Sequence, residues 1–192
     1  MASRFWCSRG SATLGIGHED VAGSEPAARE VRTFAFTDIV DSTRLGEALG
    51  DDGWRAVLRR HDETVRSVVA EHGGELVKHT GDGFFLAFAE PARAIEAMVA
   101  LQRRLEAHRA REGFVPTVRI GVHAAEATRS GTDYFGTGVS LAARVGAAAG
   151  DAEILVTRST LDAARRSFPT IAERTLELKG VSTPTDVVSI GW

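Results

Sequence analysis

Two acidic residues far apart in the sequence occupy positions where a carboxylate could bind a divalent cation. Asp38 ends residues 31–38, a segment of alternating aromatic, small and β-branched residues that is typical of a β-strand. Ser42 and Thr43 follow as candidate N-caps of a helix, so free backbone N–H groups and the positive end of a helix dipole are expected beside Asp38. Such a corner accepts phosphate groups, and a carboxylate there can bind the metal ion that accompanies them.

The second acid, Asp82, lies in Thr80-Gly-Asp-Gly83, which predicts a tight turn between short strands at 75–79 and 84–88. If the first strand pairs with one arm of this hairpin, Asp38 and Asp82 meet. Two carboxylates held together need a cation, or one of them must bind a proton. The simpler interpretation, in which Asp38 caps a helix and Asp82 only forms a turn, stays open at this point.

The elements around these residues predict the fold class. Helices are predicted over 54–72, 91–105, 138–149 and 159–166, further strands over 116–123, 153–157, 171–178 and 186–190, and a polar loop over 128–136. The order β-α-β-β-α-β predicts an α+β domain with a ferredoxin-like split β-α-β core. In this arrangement the sheet is mostly antiparallel, the helices lie on one face, and the last strands are C-terminal β additions.

Composition limits the classes of function. The chain has 192 residues, a net charge of −3 and one cysteine, Cys7, so an internal disulfide is excluded and nothing favours binding to nucleic acid. It contains no apolar segment of the ~18 residues that a membrane-spanning helix needs and no signal peptide, so we expect a cytoplasmic protein without a membrane partner. Residues 1–30 lack periodicity and are predicted to be a partly disordered leader or linker before one catalytic domain over 31–192.

Six segments resemble the class III nucleotide cyclases, the family of adenylate and guanylate cyclases. They are Phe36-Thr-Asp-Ile-Val-Asp-Ser-Thr43, Lys78-His-Thr-Gly-Asp-Gly-Phe84, Arg119-Ile-Gly-Val-His123, Asp133-Tyr-Phe-Gly136, Val139-Ser-Leu-Ala-Ala-Arg144 and Leu178-Lys-Gly180. The resemblance covers about residues 31–190. One such segment would be weak evidence, but six segments in the order and spacing of the family are not expected by chance.

The resemblance implies an adenylate cyclase that makes 3′,5′-cyclic AMP from ATP with two divalent metal ions, Mg²⁺ or Mn²⁺. Asp38, Asp82 and the backbone carbonyl of Ile39 match the metal ligands, and the ions would activate the ribose 3′-OH and bind the triphosphate. Lys78 and Asp133 match the residues that read the purine. A lysine can donate to N1 of adenine and a carboxylate can accept from its 6-amino group, whereas guanine presents the opposite pattern.

The resemblance assigns four further residues to catalysis or substrate binding. Arg144 matches the arginine that stabilises charge on the α-phosphate, Lys179 matches a lysine that contacts the terminal phosphates, and Thr43 is assigned to substrate binding at the helix start. Ser140 stands where the family has the asparagine that orients the ribose. Loss of one good hydrogen bond there is expected to cost about 1–2 kcal/mol, or roughly ten- to thirtyfold in rate.

In the family each active site is shared between two subunits, so the resemblance implies a homodimer, with room for an additional regulatory domain or protein. Three alternatives stay open. One is a cyclase-like regulatory domain that binds nucleotide with weak or no turnover, which Ser140 favours. A second is a guanylate cyclase, against which Lys78 and Asp133 argue. The third is another two-metal nucleotidyl-transfer enzyme of the same split β-α-β plan.

Overall fold

The structure is a computed structural model that describes residues 28–192. Its elements in chain order are β1 (Ala28–Ile39), α1 (Ser42–Glu71), β2 (Glu75–His79), β3 (Phe84–Phe88), α2 (Pro91–Glu112), β4 (Val118–Ser130), β5 (Asp133–Phe135), α3 (Thr137–Ala148), β6 (Ile154–Thr157), α4 (Arg158–Ala163), β7 (Thr170–Leu176) and β8 (Thr185–Ile190). The predicted leader, apart from its last three residues, lies outside the described residues, as does Cys7. Within residues 28–192, none of the helices combines the length and apolar composition that crossing a bilayer requires.

A single eight-stranded sheet runs through the domain. Its strands follow the order β2-β3-β1-β4-β6-β8-β7, and β5 pairs with β4 beside this path. Every pair is antiparallel except β4 with β6, which is parallel. Strand β1 lies between β3 and β4, as a split β-α-β core requires, and β7 and β8 extend the sheet at its far side. The predicted α+β fold class is confirmed.

The helices occupy both faces of the sheet, which corrects the prediction that they would lie on one. Helices α1, α2 and α4 pack on the face that contains Ala35 and Leu86. Helix α3 packs on the opposite face, which contains Phe34 and Phe85. Because successive strand residues point to opposite faces, a continuous apolar strand such as Phe84–Phe88 supplies an apolar surface to both. The order of the elements alone does not reveal which face a helix covers.

Small residues let α3 approach β4 closely. A Cβ added to Gly121 would lie 2.0 Å from the backbone nitrogen of Gly146, so glycine is required at this crossing. The helix is therefore held directly against the sheet. This close packing fixes the position of Ser140 and Arg144, which α3 carries.

A long hairpin replaces the loop that was predicted over 128–136. Strand β4 continues to Ser130 and turns back into β5, and the first half of β1 pairs with it from Ala28 opposite Arg129. The hydrogen bonds of partner strands stabilise a polar segment whose own strand propensity is weak, so the prediction was wrong there. The hairpin formed by β4 and β5 carries Asp133.

Candidate active site

The hairpin turn at residues 80–83 packs against the end of β1. Thr37 lies opposite Phe84 in the antiparallel pairing, and its Oγ1 accepts a hydrogen bond of 3.1 Å from the backbone N–H of Phe84. A Cβ added to Gly83 would lie 1.9 Å from the carbonyl oxygen of Thr37, so only glycine fits. Asp38 follows Thr37 and Asp82 precedes Gly83. Both carboxylates are therefore carried by backbone segments that touch each other.

Asp38 forms an ion pair with Arg119, which lies directly opposite it on β4. Arg119 Nε donates to Oδ2 of Asp38 at 2.8 Å, and Nη2 donates to the same oxygen. Oδ1 lies outside this pair. The sequence contains Arg119 within one of the six segments but does not reveal the contact. The contact follows from the register between β1 and β4, and only a prediction of that register would have revealed it.

The donors at this corner fit divalent cations that arrive with a nucleotide. The predicted ligands are two carboxylates and the carbonyl oxygen of Ile39, the last residue of β1. Within residues 28–192, no three His, Cys, Asp or Glu side chains form a group that could hold a metal ion. Mg²⁺ is usually bound through one or two carboxylates and completes its coordination with substrate phosphates and water. The carboxylate of Asp38, which precedes the start of α1, is of the type that takes part in this mode of binding.

The start of α1 differs from the predicted cap. Asp41, rather than Ser42 or Thr43, is the N-cap residue, and it has a φ of 55° and no side-chain capping hydrogen bond. Its carboxylate lies 3.6 Å from the guanidinium of Arg44. Thr43 is exposed in the first helical turn. Because Asp41 does not cap the helix, the N–H groups of the first turn stay available to a phosphate.

Lys78 and Asp133 form a direct ion pair. The distance from Lys78 Nζ to Asp133 Oδ2 is 2.6 Å, although β2 and β5 are not neighbours in the sheet. Oδ1 of Asp133 accepts a hydrogen bond of 2.9 Å from the backbone N–H of Tyr134. The hydrogen bond from Lys78, supported by that of Tyr134, holds the pKa of Asp133 below its ordinary value. The carboxylate is therefore ionised at neutral pH and can act only as an acceptor.

Aromatic rings form a floor beneath this ion pair. Lys78 Nζ lies 5.7 Å from the centroid of Phe85, whose ring stacks on Phe36 at 4.5 Å. The ring of Tyr134 is buried and lies 5.4 Å from that of Phe34. A cation above an aromatic ring gains about 0.5–1 kcal/mol at such exposed sites. The floor therefore restricts where the lysine ammonium can lie.

Ser140 and Arg144 line a groove of about 780 Å³ between α3 and the turn around Gly180. Arg144 Nη1 donates to the carbonyl oxygen of Gly180 at 3.3 Å, which brings the guanidinium beside the exposed Lys179. Ser140 Oγ donates back to the carbonyl oxygen of Gly136 at 3.4 Å. The groove has the size of a small-molecule site, but the serine hydroxyl is directed to its own helix.

Within one chain the predicted site residues form separate groups. Asp38 lies at the end of β1, and Asp82 lies in the turn after β2, where it lines a pocket together with His61 of α1. The Lys78–Asp133 pair joins β2 to β5, and neither Asp38 nor Asp82 lines the groove of Arg144. Arg119, not Arg144, contacts Asp38. These groups would form one reaction centre only if a second copy of the chain supplied the missing half.

A family model for the adenylate and guanylate cyclase catalytic domain matches residues 26–189. This chain belongs to that family. The recognition of the class III cyclases from the six segments is thereby confirmed, and the domain is a nucleotide cyclase catalytic domain by descent.

Curated relatives of this cyclase domain align with only part of their own length. The domain is 34% identical over 149 residues to an uncharacterised protein of Mycobacterium tuberculosis. This alignment covers 78% of this chain and 38% of that protein. It is 30% identical over 121 residues to a Streptomyces coelicolor protein named adenylate cyclase. This second alignment covers 63% of this chain and 31% of that protein. The cyclase domain thus spans less than two fifths of either relative.

Solved cyclase structures share the fold at lower identity. The guanylyl cyclase Cya2 matches with a TM-score of 0.80 at 22% identity, covering 85% of this chain and 93% of that one. The adenylyl cyclase CyaB from P. aeruginosa matches with a TM-score of 0.79 at 21% identity, covering 87% and 96%. An adenylate cyclase of Trypanosoma brucei in its monomeric state matches with a TM-score of 0.75 at 23% identity, covering 88% and 90%. Both nucleotide types occur among these structures, so the fold does not decide the base.

Proposed function

We propose that this cyclase domain is an adenylate cyclase that converts ATP into 3′,5′-cyclic AMP and pyrophosphate. The Lys78–Asp133 pair, with 2.6 Å between ammonium and carboxylate, carries this proposal. It offers one donor and one obligatory acceptor side by side, which match N1 and the 6-amino group of adenine. Guanine would meet two mismatches of about 1–3 kcal/mol each, so we expect ATP to be preferred over GTP by ~10²-fold or more.

Asp38, Asp82 and the carbonyl of Ile39 would hold two divalent ions, Mg²⁺ or Mn²⁺, together with the phosphates of ATP. Ions bound there would lower the pKa of the ribose 3′-OH and neutralise charge on the triphosphate. Arg119 shares Asp38 with the ions, because its guanidinium occupies only Oδ2.

The remaining residues position the substrate for in-line attack of the 3′ oxygen on the α-phosphorus. Arg144 would stabilise the charge that develops on the α-phosphate, and Lys179 beside it would bind the terminal phosphates. The exposed Thr43, in the first turn of α1, would also bind the phosphates. The protein's contribution is positioning and neutralisation of charge, with pyrophosphate as the leaving group.

The direct test is formation of cyclic AMP by the purified chain with Mn²⁺. We expect the wild type to make cyclic AMP, to prefer ATP over GTP in a side-by-side assay, and to lose activity at least 10²-fold in Asp82→Ala, because one ion then lacks its carboxylate. Asp52→Ala is the matched control, because its side chain is 99% exposed. Equal background-level product from wild type and Asp82→Ala would refute the enzyme assignment, and a preference for GTP would refute the adenylate type.

A second candidate, a nucleotide-binding cyclase domain with weak turnover, is favoured by the hydrogen bond of Ser140 back to Gly136. If the missing ribose contact limits the rate, Ser140→Asn should raise kcat about ten- to thirtyfold. Ser167→Asn, at an exposed position outside the groove, should leave kcat unchanged. A Ser140→Asn variant with the wild-type kcat would show that position 140 does not limit the reaction.

A further inference from the structure

A half-buried polar bridge connects the two strands that carry Lys78 and Asp133. Tyr134 Oη donates to Glu75 Oε2 at 2.9 Å, and Arg129 Nη2 donates to Glu75 Oε1 at 3.2 Å. Both oxygens of Glu75, on β2, are thus bound by the hairpin of β4 and β5. Since β5 pairs with β4 and with no other strand of residues 28–192, this carboxylate supplies a link between β2 and β5 that backbone pairing does not.

A β-bulge places Glu75 on the same face as Lys78. Glu75 lies opposite Ala87 and Lys78 lies opposite Phe85, with an irregular register between Leu76 and Lys78. Strand residues three apart normally point to opposite faces, but the extra residue of a bulge restores the same face. The purine-reading lysine and the bridging glutamate therefore project together towards β5.

Tyr134 connects this bridge to Asp133, the acid on β5. It follows Asp133 directly, and its backbone N–H binds Asp133 Oδ1. Its ring is 2% exposed, packs against Phe34 at 5.4 Å and lies 5.3 Å below the guanidinium of Arg129. The side chain of Tyr134 thus binds Glu75 while its backbone binds Asp133.

We propose that Glu75 and Tyr134 are positioning residues that set the separation of Lys78 and Asp133 and thereby the choice of purine. This inference rests on the proposed function and adds two residues that do not touch the base. Discrimination between adenine and guanine requires that the lysine and the carboxylate stay at fixed places on one edge of the base. Hydrogen bonds between Glu75 and the hairpin hold the two strands at that separation.

Tyr134→Phe is the sharpest test, because it removes only the hydroxyl and leaves the buried ring and the Arg129–Glu75 contact. We expect the ratio of kcat/KM for ATP to that for GTP to fall about tenfold, mainly through a higher KM for ATP. Glu75→Gln, which keeps one acceptor oxygen, should lower the ratio less than Glu75→Ala. Thr175→Val is the control, since it removes a side-chain hydrogen bond of 2.6 Å between β7 and β8 and should not change the ratio.

A second measurement separates this inference from the proposed function. Calorimetry with 3′-deoxy-ATP and 3′-deoxy-GTP, which cannot cyclise, reports base preference even without turnover. If the wild type forms no cyclic AMP, the proposed function fails, and the ratio of the two dissociation constants alone decides the inference. Tyr134→Phe that folds and keeps the wild-type ratio overturns it. If Tyr134→Phe does not fold, Glu75→Gln decides by the same criterion.

Discussion

His61 is a buried histidine without a hydrogen-bond partner among the described residues. Its side chain, on α1, is 3% exposed, and it lies beside a cavity of about 140 Å³. Burial lowers the pKa of His61 to about 4, because the charged ring would lose its hydration, while Asp62 and Asp82 oppose the shift only in part. The ring is therefore neutral at pH 7 and packs 5.6 Å from the ring of Phe84.

We predict that His61 makes the domain less stable as the pH falls from 6.5 to 4. In this window the unfolded histidine binds a proton and the folded one does not, so the unfolded state binds more protons and stability rises with pH. The full effect is at most about 3 kcal/mol. Urea denaturation at several pH values measures it, and His61→Phe should lose this part of the dependence.

The cavity beside His61 gives a phenyl ring room, so this substitution does not rely on repacking of the core. His72→Gln is the control, because it changes another histidine of the same region and leaves His61 in place. It should keep the wild-type dependence. The same slope in His61→Phe and wild type would show that other groups cause the loss of stability in acid.

At the scale of elements, the turn between β2 and β3 determines where Asp82 lies relative to β1. Gly81 has a φ of 89°, and the backbone N–H of Thr80 donates to the carbonyl oxygen of Gly83 at 2.9 Å. Gly83 then touches the carbonyl of Thr37 at the end of β1. The turn residues thus decide where the backbone of Asp82 lies relative to β1.

Gly83→Ala should separate the turn from β1. The added methyl group would meet the carbonyl oxygen of Thr37 at 1.9 Å, so the backbone must shift. We expect a loss of about 1–3 kcal/mol in the free energy of unfolding and a fall of at least tenfold in kcat. Urea denaturation and the cyclic AMP assay measure the two effects.

Gly46→Ala is the control for that substitution. A Cβ there meets the side chain of Trp54 at ordinary distances of 3.6 Å or more, so stability and kcat should stay near the wild-type values. A Gly83→Ala variant with wild-type kcat would mean that the position of Asp82 relative to β1 does not matter for the reaction.

At the scale of the whole molecule, one copy carries the carboxylates and the arginine in different places. Asp38 lies at the end of β1, Asp82 lies in the turn that packs against Thr37 of β1, and Arg144 lies in the groove beside Gly180. Phe135, at the end of the β4–β5 hairpin, is 54% exposed. We predict that the domain acts as a homodimer in which the aspartates of one copy and the groove of the other form each of two equivalent sites.

Mixing two inactive variants tests this arrangement. Asp82→Ala and Arg144→Ala should each abolish cyclic AMP formation, whereas an equal mixture should recover about a quarter of the wild-type activity. Half of the dimers are then mixed, and each mixed dimer has one intact site of two. Asp38→Ala mixed with Asp82→Ala is the control and should recover nothing, since both changes affect the same half. No recovery in the first mixture would contradict a shared site.

The sequence by itself determined the family, the order of the elements except for β5, and the identity of the candidate site residues. These features depend on local patterns: alternation in strands, apolar spacing in helices, and short segments such as Thr80-Gly-Asp-Gly83. The α+β fold class followed from that order, and β1 pairs with β3, one arm of the predicted hairpin.

Only the tertiary structure decided which residues meet. The Asp38–Arg119 pair, the position of α3 on its own face of the sheet and the bulge that aligns Glu75 with Lys78 all depend on the register of strands that are distant in the chain. A shift of one residue in that register exchanges the two faces of a strand, and no local pattern specifies it. Register is fixed by the packing of both faces at once, which exists only in the folded domain.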